Sequence, residues 1–156
     1  MRGFTMVEMM AVLAVIGILA VMAIPSLQEK LIRDQIVEAL PLADIAKAPI
    51  AASWALAQAF SDGNEAAGLP PADKVVSNYV SSTVVQAGAI HITFGNRANS
   101  AIKGKILSLR PAVVADSPIV PVAWVCGNAT VPDKMTEKGE NRTNVATNLL
   151  PLKCRP

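Results

Sequence analysis

From Met9 to Ile24 the chain carries no polar side chain, and one carboxylate, Glu8, stands just ahead of that run. With Phe4 to Glu8 added, the stretch makes a helix of about 30 Å at about 1.5 Å per residue, close to the hydrocarbon thickness of a bilayer. After Pro25 the pattern changes from continuous to periodic. Leu27, Leu31, Ile32, Ile36, Val37 and Leu40 recur at helical spacing, while Glu29, Lys30, Arg33, Asp34 and Glu38 supply a polar face. Pro25 removes one helical hydrogen bond. Because the periodicity continues beyond it, a kink is expected there, not an end. Pro41 and Pro49 interrupt again, and an alanine-rich stretch runs to Phe60. The pattern predicts one long, bent helix from about Phe4 to Phe60. Its second half should lie in the groove of a sheet, with Trp54 and Phe60 as core anchors.

From Ser61 the chemistry becomes that of loops: "SDGNEAAGLPPADK" holds Gly63, Gly68, Pro70 and Pro71. Asp62 and Glu65 flank Gly63 but lack the ligand number and spacing of a calcium loop, so a turn is expected. Strand patterns follow. "VVSNYVSSTVVQAG" can begin with a short strand. "AIHITFG" alternates Ile90, Ile92 and Phe94 against His91 and Thr93, with His91 read as a surface or groove residue. "IKGKILSLRPAVV" reads as a second strand bounded by Pro111, and "IVPVAWVCG" as a third ending at Cys126. Antiparallel strands joined by short turns make a meander that packs on the helix.

The chain is 52% hydrophobic, much of it in the first segment, and its formal charge is +2. That charge is too small for bulk binding to nucleic acid or an anionic surface. One histidine and two cysteines exclude a zinc site of ordinary composition. No nucleophile–base–orienter set and no glycine-rich phosphate loop is readable, so no enzyme, cofactor or metal is expected. Cys126 and Cys154 bound a polar tail. If the segment beyond the apolar run is exported, they are read as a disulfide; in a cytosolic chain, as two thiols. Asn128 and Asn141 head glycosylation sequons, a short pattern frequent by chance.

Three readings fit the N-terminus. A signal peptide would use Arg2, the apolar run and a cut near Val21-Met22-Ala23. A plain membrane anchor would need only the apolar run. Neither explains Glu8, which a bilayer penalises by roughly 2.5–3.5 kcal/mol at the centre of a helix. "GFTMVE" followed by a long apolar helix resembles the start of type IV prepilins, and "GKILSLRPAVVADSPIVPVAWVCG" resembles the sheet region of type IVa pilins.

The resemblance implies an α+β pilin fold: a long kinked N-terminal helix packed against a small antiparallel sheet, with a disulfide-bounded C-terminal loop. It implies a leader, residues 1–3, shorter than the family's usual one and cut between Gly3 and Phe4. Phe4 would be N-methylated and Glu8 would direct filament assembly. Residues 4–25 would form the membrane-spanning and filament-core half of the helix, and residues 26–156 the globular head. The implied partners are other pilin subunits, a prepilin peptidase, the pilus assembly machinery, and the inner membrane before assembly, with the head outside the cytoplasm. The implied function is a structural subunit of a surface fibre for adhesion, twitching motility or DNA uptake. The alternatives are a DNA-binding minor pilin and a secretion pseudopilin. For DNA, the basic residues are Arg97, Lys103, Lys105 and Arg110 by the sheet, and Lys134, Lys138, Arg142, Lys153 and Arg155 in the tail. Asp133, Glu137 and Glu140 dilute the tail, and no aromatic residues interleave for base stacking.

Overall fold

The computed structural model describes residues 3–156; Met1 and Arg2 of the expected leader lie outside them. One helix, α1 (Met6–Ala57), takes up 52 residues, about 78 Å at about 1.5 Å per residue. It is helical through position 25 and through Pro41 and Pro49. The Pro25 side chain, and with it the expected kink, lies outside what the structure describes. Α1 ends earlier than the expected Phe60. Gln58 turns left-handed (φ 50°) and its N–H closes on the Trp54 carbonyl at 2.9 Å. The chain then folds back, so that Phe60 stacks on Trp54 with ring centroids 5.1 Å apart.

Four strands form an antiparallel meander in the order β1 (Val80–Gln86), β2 (Ala89–Phe94), β3 (Ile106–Val113) and β4 (Ala123–Cys126); a short β5 (Thr136–Glu137) also pairs with β3. The β1–β2 turn is Ala87-Gly88, both at positive φ, the two-residue geometry that matches strand twist. Gly88 is required twice over. Its φ is +78°, and a Cβ there would sit 2.7 Å from the Phe60 ring.

The inward faces of the strands meet the helix. Ile90, Ile92 and Phe94 of β2 and Leu107 and Leu109 of β3 join Ile32, Ile36, Leu40 and Ile50 of α1 in one core. Small residues of the helix, Ala39, Ala43 and Ala46, are fully buried there and let helix and sheet approach closely. Trp54 is buried as expected. Phe60 is half-buried against the core.

Two strand expectations are corrected. Β3 does not stop at Pro111 but continues to Val113. The Pro111 carbonyl accepts from Lys138 N–H at 2.8 Å. Its missing N–H falls on that same edge of β3, past the start of β2, so no bond to β2 is lost. His91, read as a surface or groove residue, is 3% exposed. It does point away from α1, as the alternation requires, but the C-terminal segment covers it there.

The free edge of β1 is closed by side chains from the loop before it. Asn64 donates to the Thr83 carbonyl (2.9 Å) and accepts from Val85 N–H (2.8 Å), and Asp62 accepts from Ala87 N–H (3.2 Å). Residues 64–68 form the expected turn, while Asp62 supports the β1–β2 turn at Ala87; no metal-capable cluster occurs among the described residues. Cys126 and Cys154 are bonded across a sequence separation of 28 residues.

Candidate assembly surface

The apolar half of α1 extends beyond the head. Of the 18-residue window that is long and apolar enough to cross a membrane, none is buried against the rest of the chain. Phe4, Met6, Leu13, Leu19 and Met22 are all more than half exposed. An apolar surface of this size, with no partner in its own chain, is an interaction surface for lipid or for other helices. The exposure continues into the head through Leu27, Leu31, Val37 and Ile45, while Ile32, Ile36 and Leu40 turn inward. The second half of α1 therefore has two apolar faces, one toward the sheet and one toward solvent.

Glu8 stands at the start of this helix. Thr5 is the N-cap: its hydroxyl oxygen accepts from Glu8 N–H (3.3 Å), and the Glu8 carboxylate accepts from Thr5 N–H (2.8 Å) and the Thr5 hydroxyl (2.9 Å). This reciprocal capping box satisfies donors that the first turn of a helix otherwise leaves open. Sequence reasoning missed it and read the carboxylate only as an assembly group. The signal was present, since "TMVE" has the threonine-to-glutamate spacing of the motif. Gly3 and Phe4 precede the helix, and Gly3 has no heavy atom within 4 Å of where a Cβ would stand.

The C-terminal end of the chain returns to α1. Arg33 donates to the Asn148 carbonyl through Nε (3.1 Å) and Nη2 (2.9 Å) and pairs with Glu29 at 2.6 Å. Asn148 Nδ2 donates to Glu29 (3.2 Å), and Arg155 also donates to the Asn148 carbonyl (2.9 Å). Nothing in the sequence marks Asn148 as this hub; its role comes from the return of the chain after the disulfide. The latch fixes the head to the helix just beyond the apolar span.

Not all of the basic residues are exposed. Arg110 is buried, with its guanidinium on the Gly127 carbonyl (3.1 Å) and the Glu137 carboxylate (2.5 Å). It leaves the set proposed for DNA, because it serves to hold the tail to the sheet. Arg97, Lys103 and Lys105 are exposed around the β2–β3 connection, and Arg142 is paired with Glu140.

A free apolar helix with a capped N-terminus thus carries a disulfide-closed head. The chain matches the family model described as pilin (bacterial filament) over residues 33–155, and that of the prokaryotic N-terminal methylation motif over residues 1–24. It is similar to a type IV major pilin protein of Neisseria gonorrhoeae, at 33% identity over 99% of this chain and 87% of the relative. A fimbrial protein of Neisseria meningitidis serogroup A is 31% identical over 99% of this chain and 94% of its own length. The chain belongs to the pilin family, and it is a structural subunit that assembles with other pilin subunits. The methylation motif and the apolar helix fit an inner-membrane precursor that becomes part of an extracellular pilus. Neither a pseudopilin nor a DNA-binding minor pilin is favoured.

Proposed function

We propose that the chain is a major-type subunit of a type IV pilus, matured by a prepilin peptidase between Gly3 and Phe4 and N-methylated on Phe4. Residues 4–25 form the membrane-spanning and filament-core segment, and residues 26–156 the displayed head. The observation that carries this reading is the unburied apolar half of α1 with Glu8 at its beginning. Cleavage creates a charged amine on Phe4. In the filament that amine meets Glu8 of a neighbouring subunit, and the pair favours one axial register. A buried carboxylate is tolerated when paired and strongly destabilising when not. Before assembly the same carboxylate is held by Thr5. Passage from lipid to filament therefore exchanges or adds partners around a carboxylate that is already solvated by its own chain.

Packing one helix against the next by a heterologous contact that does not close generates a fibre. The assembly machinery supplies the movement out of the membrane, and the heads face outward for adhesion, twitching motility or DNA uptake. Intact mass of the protein from sheared surface fibres tests the processing step. A mature chain beginning at methylated Phe4 is expected. A chain beginning at Ile24, as signal cleavage near Val21-Met22-Ala23 would produce, overturns it.

A further inference from the structure

The tail between the cysteines crosses the face of the sheet that points away from α1. In a strand, alternate residues turn their backbone groups to opposite edges. Lys138 N–H bonds the Pro111 carbonyl on one edge of β3, whereas Asn144 N–H bonds the Ile106 carbonyl on the other (3.1 Å). The residues between them form a strap laid over the strand. Gly139 carries the crossing: a Cβ there would stand 2.6 Å from the Ala89 side chain. From Thr136 to Asn144 no residue is buried, so the strap holds by polar bonds, not by apolar anchors. Ser108 N–H donates to Thr143 Oγ1 (3.0 Å), Ile106 N–H to Asn144 Oδ1 (2.6 Å), and Asn141 Nδ2 to the Gly127 carbonyl (3.1 Å).

His91 lies beneath this strap. Its Nδ1 is 2.9 Å from Ser108 Oγ, and the same oxygen accepts Arg142 N–H from the strap at 2.9 Å. Nε2 of His91 is buried with no hydrogen-bond partner. The arrangement suits a neutral ring, with the Ser108 hydroxyl donating to Nδ1 and accepting from Arg142. In the imidazolium both ring nitrogens are donors. Nδ1–H must then be received by Ser108 Oγ, whose own proton has to turn away, and a charge is enclosed at Nε2. The neighbours do not compensate. Arg142 repels a cation. Arg110, two residues beyond Ser108 on the same face, is already engaged with Glu137, and β1 sets Val84 opposite His91. Glu140 is the one favourable charge on the strap, but it pairs with Arg142 at 2.9 Å and is largely exposed. Burial and the Arg142 charge together hold the His91 pKa below its ordinary value, with Glu140 opposing in part.

We propose that residues 140–144 are an acid-released strap, gated by His91 through Ser108, that lifts from the outer face of the sheet while the disulfide keeps its base attached. Release frees the Arg142 amide and the Thr143 and Asn144 side chains and lets water reach Nε2. The core between sheet and helix is untouched. Acidification thereby changes the surface that the head displays without unfolding the head.

The test is amide hydrogen exchange of the full-length protein in detergent micelles between pH 7.5 and pH 5, with rates corrected for the intrinsic effect of pH. Opening at Arg142 and Asn144 is expected to rise about tenfold per pH unit below the ordinary histidine range, until the folded-state value is passed. Exchange at Leu107 and Leu109, which needs the head to unfold, stays far slower than at Arg142 and Asn144 at every pH. H91Q is expected to remove the pH dependence, and E140Q to move release to higher pH. Equal exchange at Arg142 and Asn144 across the range overturns the proposal, as does opening of the sheet as frequent as that of the strap. Should H91Q fail to fold, the wild-type comparison of strap with sheet decides alone.

Discussion

Thr5 and Glu8 each accept a hydrogen bond from the other's backbone N–H, so the carboxylate that interrupts the apolar segment is already engaged within a single chain. Glu8 thus has two roles that substitutions can separate. As a cap it acts on the first turn of α1. As an assembly group it acts on a neighbouring subunit.

Thr5→Ala is expected to weaken the first turn by about 1 kcal/mol, the usual effect of losing a threonine cap. Faster amide exchange at residues 6–9 in micelles measures this. Because Glu8 keeps its charge, fibres are expected to form, and their absence from Thr5→Ala cells would assign assembly to the cap.

Glu137→Gln is expected to destabilise the head by about 1–3 kcal/mol, because a buried guanidinium keeps the Gly127 carbonyl but loses its counter-charge. Arg110→Met, which removes the charge along with its partner bond, is expected to be milder than Arg110→Ala, which also leaves a void. Denaturant unfolding under oxidising conditions ranks the three. A Glu137→Gln protein as stable as wild type would show that water, not Glu137, solvates Arg110.

The long helix and the strand positions were legible because each rests on a local pattern, continuous apolarity or a period of 3.6 or 2; the paired cysteines were legible only with the export that the resemblance implies. Thr5 and Glu8 are neighbours in sequence, yet the capping box they form went unread. The tail was misjudged. His91 and Arg110 look like surface residues on their strands, since only long-range crossing of the tail covers them, and no periodicity encodes that crossing. The same return of the chain makes Asn148 a partner of Arg33, 115 positions away.

Replacing Cys126 or Cys154 by serine is expected to lower the stability of the head by roughly 2–5 kcal/mol, the range for small exported domains. The loss falls on a segment with few apolar anchors. Proteolysis should therefore cut first between Asn128 and Asn148, and a first cut within α1 instead would place the weakness elsewhere.

Head stability is expected to fall on acidification through the region below pH 6.5. His91 has its pKa lowered in the fold, chiefly by burial and then by Arg142. The unfolded chain thus binds the proton more readily than the folded one. This contribution is fully present above the unfolded value and is lost as pH falls toward the folded value. Denaturant midpoints of wild type and His91→Gln, compared between pH 7.5 and pH 5, should converge or cross as pH falls. Parallel profiles would exclude His91 as the source.

The most direct measurement of the assembly claim is fibre yield, by electron microscopy and shearing, from cells whose only copy of this subunit carries Glu8→Ala. Loss of the carboxylate leaves the Phe4 amine of the adjoining subunit unpaired, and breaking such a buried pair costs about 3–5 kcal/mol. The account predicts that fibres are lost or scarce while the subunit still accumulates in the membrane, is cut after Gly3, and keeps the Cys126–Cys154 bond. Fibres at the wild-type level from those cells would contradict it.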